Sequence, residues 1–314
     1  MAVLHSIRHV RLLVGFVAIA SLGLMTPPAE AQQPFANPDE ATGALATAVK
    51  SGMKQNILKV LGADGEDIIS SGDDVADTDA RSKFVAAYDA KHSVKVDGKK
   101  ALLIIGADDF AFPIPLIHTK AGWEFDTDEG RQEILYRRIG RNELDAIQTC
   151  LAFVDAENEY AEKDRGDGVG LYAQRIVSSP GKKDGLYWPV QSGEDGSPLG
   201  ELAATAASEG YRAGQQRIPY HGYYYKVLSR QGPDAVGGAL DYVVRGKMIG
   251  GFALVAYPAE YRNSGVMTFI VSHKGKVYEK DLGPNTRAIA ESMTTFNPDS
   301  TWQGVDEPDP SATR

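Results

Sequence analysis

The hydrophobic pattern of this chain changes period four times, and the order of those changes limits the folds open to it. From Pro38 the apolar residues Ala41, Leu45, Ala48, Val49 and Met53 recur at steps of three and four, which predicts an amphipathic helix. A short helix over 55–61 stops at Gly62, an extended link covers 68–74, and a further helix covers 80–91. The pattern then turns strand-like over 93–96, 100–105, 111–118 and 122–125, with Asp97-Gly98 as a hairpin turn. Pro113 and Pro115 demote the third of these runs to an edge or irregular strand. Helical spacing returns over 128–138 and 142–163, with Asn142 as the cap of the longer helix and Leu144, Ile147, Leu151 and Val154 on one stripe.

A turn-rich stretch over 182–199 reads as a surface loop, and 202–209 as a short helix. Strand patterns follow over 223–229, 249–257, 266–271 and 276–279, with Lys274-Gly275 between the last two, and a short helix covers 286–293. Helices and strands are therefore segregated, and the expected class is α+β. N-terminal helices with a small antiparallel sheet make residues 32–130, and a long helix on a second antiparallel sheet makes 131–305. The acidic, Pro-containing residues 306–314 read as a disordered tail.

The N-terminus carries a different message. Arg8 and Arg11 precede an apolar run over 12–25, Thr26-Pro27-Pro28 ends it, and Ala29-Glu30-Ala31 offers a small-x-small cleavage site. This is the pattern of a secretory signal peptide cut after Ala31, and the run is shorter than the ~20 residues of a membrane span. The expected location is the periplasm or the medium, with no membrane span after cleavage. Loss of Arg8, Arg11 and Glu30 would take the formal net charge from −9 to −10. That acidity argues against nucleic acid as a partner. Cys150 is the only cysteine, so no internal disulfide forms and the fold rests on its core.

Glu124 and Asp126 flank Phe125 on one strand and so share a face, a pattern that fits a general acid and base as well as the solvent side of a sheet. His118 follows a neighbouring apolar strand, and Trp123 adjoins the pair. Glu124, Asp126 and His118 are the catalytic candidates. Trp123, Tyr187, Trp188, Tyr223 and Tyr225 are the aromatic candidates for binding a protein or sugar, against the alternative of core packing. The four histidines after residue 31, His92, His118, His221 and His273, show no metal-ligand spacing. Asp73, Asp74, Asp77 and Asp79 lack the sixth-place Gly and twelfth-place Glu of a calcium loop and read as a capped helix start, with Asp79 as the cap. Asp164 and Asp167 around Gly166 give a weaker calcium-like hint. No metal site or cofactor is assigned, and no nucleophile elbow or phosphate loop occurs.

Longer stretches carry a resemblance. Residues 250–261 (GGFALVAYPAEY), 264–271 (SGVMTFIV) and 277–283 (VYEKDLG), with 138–144 (RIGRNEL) and 184–188 (DGLYW), resemble the bacterial exported family known as domain of unknown function 2950. That resemblance implies no activity, substrate or catalytic residue. The order of long helix, aromatic strand and hairpin is also similar to type IV pilin-like and pseudopilin-like heads, although charged Arg137, Arg138 and Arg141 stand where an apolar assembly helix would run. The helices-then-sheet order of 38–126 resembles nuclear-transport-factor-2-type folds. Two functions follow as expectations: a non-catalytic envelope protein that binds or assembles with a protein partner, or a small-ligand binder or hydrolase-type enzyme using a pocket of the N-terminal part. A calcium-stabilised module is a third.

Overall fold

The computed structural model describes residues 32–165, 168–190, 195–211 and 218–305. The signal-peptide pattern, the acidic tail and the Gly166-Asp167 pair lie outside them. Helix α1 (Pro38–Lys50) starts where the Asn37 side chain accepts the Glu40 N–H, with Pro38 in its first turn, and buries Ala41, Leu45 and Ala48. Helix α2 (Lys54–Leu61) buries Ile57, Val60 and Leu61 and ends at Gly62, whose φ is +92°. The link expected after it contains a short α3 (Glu66–Ile69). Helix α4 (Asp74–Ala90) then begins six residues earlier than its apolar spacing suggests, because Asp73 rather than Asp79 caps it.

An antiparallel meander follows: β1 (His92–Asp97), β2 (Lys100–Ile105), β3 (Phe110–Ala111), β4 (Leu116–His118) and β5 (Trp123–Phe125). The order is β1-β2-β4-β5, with β3 on β2. The run holding Pro113 and Pro115 is broken into β3 and β4, since a proline has no N–H for the ladder. Leu45, Ile57, Leu61, Ile68, Ala101, Ile114, Leu116 and Phe125 belong to the core between helices and sheet.

The largest departure from the sequence pattern is α5 (Thr127–Glu162). Two helices are expected, and one of 36 residues is found, about 54 Å long at ~1.5 Å per residue. Asp126 caps it, accepting the Glu129 N–H at 3.0 Å. Gly140, between the two expected helices, is exposed and helical with open space around it, and its cost of about 1 kcal/mol is tolerated because both flanks are anchored. Upstream, Arg138 donates to the carbonyls of Asp67 (2.7 Å) and Ile68 and to the Asn263 side chain. Downstream, Asn142 is buried inside the helix and donates to the Ser264 carbonyl at 2.9 Å, while Glu143 accepts the N–H groups of Val266 and Met267. Helix α5 thus serves both halves, and the expected boundary near residue 130 falls in its first turns.

Beyond α6 (Gly200–Glu209), strands β6 (Tyr223–Leu228), β7 (Arg230–Gln231), β8 (Leu240–Asp241), β9 (Val243–Val244), β10 (Lys247–Met248), β11 (Ala253–Pro258), β12 (Met267–Ser272) and β13 (Val277–Asp281) precede α7 (Thr286–Ser292), β14 (Thr295–Phe296) and β15 (Gln303–Gly304). The main sheet runs β15-β13-β12-β11-β6, all antiparallel. Every residue of β11 is buried, as its continuous apolar run requires. Ala146, Ile147, Cys150, Phe153 and Val154 of α5 join the core of this half. The stretch expected as a surface loop contributes Leu186, Trp188 and Leu199 to the same core, because Leu199 N–H folds back onto the Leu186 carbonyl at 3.0 Å. The α+β class, with helices beside antiparallel sheets in both halves, is observed. No helix of the described residues is long and apolar enough to cross a membrane.

Glu157 is the exception in that core. It has no exposed surface, its Oε2 accepts the Ala173 N–H at 2.8 Å and its Oε1 has no partner. Burial pushes its carboxyl well above the ordinary range, against a smaller opposing effect of the Ala173 bond. A carboxyl with a raised folded pKa contributes stability below its unfolded value and loses it as pH rises toward the folded one. Glu157→Gln keeps the acceptor for Ala173 and removes the ionisation. It is expected to match wild type in melting temperature at pH 5 and to melt roughly 3–6 °C higher at pH 8, as thermal unfolding across that range will show.

Candidate functional site

The start of α4 is built from its own acids. Asp73 Oδ1 accepts the N–H groups of Val75 (3.2 Å) and Ala76 (3.1 Å), which is the capping role. Ser71 locks the turn: its N–H and hydroxyl both donate to Asp77, and its Oγ accepts the Asp73 N–H. Asp73 is fully buried and Asp77 nearly so. Burial raises the Asp77 carboxyl above its ordinary value, while the two Ser71 bonds and the Arg138 charge hold it down.

Asp73 Oδ2 looks the other way. It accepts the Tyr211 hydroxyl at 2.8 Å and the Gly222 N–H at 3.0 Å, both from the chain that leads into the C-terminal sheet. Gly222 follows His221 in a two-residue turn closed by reciprocal bonds between Tyr220 and Tyr223. Both central residues have positive φ, +48° at His221 and +73° at Gly222, the pattern of a type I′ hairpin turn. A side chain at Gly222 would also collide with Asn142 and Ser264. His221 carries a conformation uncommon for a non-glycine residue, and three contacts hold it there. Its N–H donates to the Tyr211 oxygen at 3.3 Å, its Nδ1 lies 3.0 Å from Asp145, and its Nε2 lies 2.8 Å from Glu209. The Tyr220 ring stacks on the imidazole at 4.1 Å.

Ser71, Asp77, Asp145, Glu209, Tyr211 and His221 border a half-open cavity of about 450 Å³ lined also by α1, α2, α3, the link between β3 and β4, and α5. Leu45, Ile57, Leu61, Phe84, Ile114 and Ile134 give it an apolar lining. Asp77, Arg138, Arg141, Asp145, Glu209 and His221 supply its polar side. Its size lies within the range of small-molecule pockets, about 300–1,000 Å³. Position, lining and convergent polar groups make it the candidate site.

The chemistry of the site favours holding over bond breaking. Burial lowers the His221 pKa, but hydrogen bonds to Asp145 and Glu209 raise it more, so the imidazole titrates above its ordinary value. Each ring nitrogen faces a carboxylate, so both are occupied and neither is open to a substrate proton. The Cys150 thiol is buried and pushed up to about 12 by desolvation, which removes it as a nucleophile. Ser264 is fully buried, and its hydroxyl is engaged with the backbone of Glu260. Among the described residues no group of three or more His, Cys, Asp or Glu side chains converges to hold a metal.

The catalytic and aromatic binding candidates of the sequence lie elsewhere. His118 is exposed at the end of β4, edge-on to Trp123 at 5.1 Å. Trp123 is core, with backbone bonds to Phe35 in both directions. Glu124 is half-buried opposite Ile117, and Asp126 is occupied as the α5 cap. None of these four lines the cavity. Trp188 and Tyr223 are C-terminal core, the Tyr223 hydroxyl donating to the Met267 carbonyl, and Tyr187 and Tyr225 pack half-buried against it. Asp164 accepts the Gly168 N–H in its own turn. The residues that do converge, Asp73, Asp145, Glu209, Tyr211 and His221, had local signals: a cap-like Asp two residues before Val75, and His-Gly between two aromatic residues. Their convergence depends on contacts across 149 positions of sequence, from Asp73 to Gly222.

Residues 32–305 match the family described as "Protein of unknown function (DUF2950)", and the chain belongs to it. No curated protein and no solved structure matches.

The histidine clamp has a pH signature. A histidine with a folded pKa above its unfolded value near 6.5 contributes stability that is fully present below that value and is lost as pH rises through the folded pKa. His221→Gln is therefore expected to cost on the order of 1 kcal/mol at pH 5.5 and progressively less toward pH 9, measured by urea unfolding across that range.

Proposed function

We propose that this protein is a non-catalytic binding protein for a small, largely apolar ligand, working outside the cytoplasm. The single observation that carries the reading is the cavity of about 450 Å³ at the junction of the two halves, apolar inside and polar along one side. A cavity lined by Leu, Ile and Phe gains from filling with apolar atoms, because both dispersion contacts and water release favour occupancy. The absence of a free base or thiolate beside it, among the described residues, weighs against hydrolysis. The signal-like pattern over residues 8–31 supports the location.

Assembly through the long helix has less support. The N-terminal half of α5 is engaged with its own chain, through Arg131 on Asp67 and Arg138 on the α3 carbonyls. The pilin-like reading of the element order has no further support.

Ala80 lines the cavity from an exposed position on α4 and offers a direct test. The neutral fluorophore N-phenyl-1-naphthylamine is expected to bind wild type saturably with enhanced emission. Ala80→Trp, which puts an indole into the space, is expected to weaken that binding about tenfold or more, while stability shifts by no more than about 0.5 kcal/mol, as for other exposed helical sites. Equal titration curves for the two proteins would remove the cavity as the binding site.

A further inference from the structure

The charges around the cavity are not all used, and the unused ones have one sign. Asp79 is paired with Lys83 at 2.7 Å. Asp77 is satisfied by Ser71, and Asp145 and Glu209 are taken by His221. Arg138 is committed to two carbonyls and an amide, and burial lowers its pKa. Two guanidinium groups remain. Among the described residues Arg141 makes no hydrogen bond or ion pair, and Arg81 donates only to the neutral hydroxyl of Thr78. Arg141 also stands one helical turn from Arg138, whose charge it opposes.

From this we infer that the ligand is an amphipathic acid, a single apolar tail ending in one carboxylate- or phosphate-like anion, with the head held by Arg81 and Arg141. The inference rests on the reading of the cavity as a ligand site and adds the chemistry of the ligand. A planar guanidinium offers two parallel N–H donors to a carboxylate or phosphate, so two such groups are suited to an anion at the cavity mouth. An anion there also relieves the Arg138–Arg141 repulsion. The chain as a whole is acidic, at −9, so two guanidinium groups without a salt bridge beside one cavity, Arg81 acting only at a distance on Asp77, are a local feature and not a reflection of composition. At about 30 Å³ per water-sized group, a cavity of about 450 Å³ has room for roughly fifteen, enough for a tail of ten to twelve carbons.

The test is isothermal titration of the purified protein with dodecanoate, dodecanol and dodecyltrimethylammonium, each below its aggregation concentration. Dodecanoate is expected to bind about tenfold or more tighter than dodecanol, with the ammonium probe weakest. The preference is expected to shrink in high salt, which screens exposed charge. In the double variant Arg81→Gln/Arg141→Gln, checked for folding by its melting curve, the acid is expected to fall to the affinity of the alcohol. Equal affinity for acid and alcohol in wild type overturns the head assignment and leaves the cavity reading standing. Tighter binding of the ammonium probe overturns it in favour of a cationic head. No binding of any probe to folded protein overturns both.

Discussion

Asp73 is a carboxylate with no exposed surface, and its two oxygens belong to different halves of the chain. Oδ1 holds the first turn of α4, and Oδ2 holds Tyr211 and the Gly222 turn. A buried charge is tolerated only when its lone pairs are satisfied, and here four donors satisfy it. Each hydrogen bond to a charged group contributes about 1.5–3 kcal/mol. The joint also sets the geometry of the site. With Gly222 fixed on Asp73, His221 reaches Asp145 of α5 and Glu209 of α6 and joins the lining of the cavity.

The other cross-links share this polar character. Asn142 to Ser264, Glu143 to the N-terminus of β12, and Arg138 to α3 and Asn263 all run from one face or another of α5. The apolar clusters are separate, one in the C-terminal half and two in the N-terminal half. The halves are thus stabilised by their own packing and positioned by directional bonds, an arrangement that leaves apolar space between them without collapse. Most of the ionisable groups that border it are engaged with one another, and among the described residues Arg81 and Arg141 form no salt bridge.

Much of the fold was legible in local pattern. The hairpins at Asp97-Gly98 and Lys274-Gly275, the start of α1 at Pro38, and the fully apolar run that becomes β11 follow from turn chemistry and period. The failures have a common cause. Residues 139–141 fall between two expected helices, yet the helix continues because Arg138, Asn142 and Glu143 find partners 122 to 125 positions away in sequence. Residues 182–199 read as surface, yet Leu186, Trp188 and Leu199 fill space that only the folded sheet creates. The acidic run at 73–79 reads as solvated, yet Asp73 and Asp77 are buried because their partners lie in Tyr211, Gly222 and Ser71. Glu124 and Asp126 illustrate the converse. Their spacing is right for a carboxylate pair, but the strand ends at Phe125 and the helix takes Asp126 as its cap. Local pattern specified the elements; the site is made of long-range polar contacts that no window of sequence contains.

The claim on which this account turns is that one carboxylate couples the two halves. Amide hydrogen exchange on Asp73→Asn addresses it most directly, since the variant keeps an Oδ1 acceptor for Val75 and Ala76 and places an NH₂ against the Gly222 N–H. The account predicts that exchange at Gly222 and the adjoining turn accelerates on the order of tenfold or more, while the first-turn amides of α4 keep their protection. Unchanged exchange at Gly222, or equal acceleration throughout the chain, would contradict it.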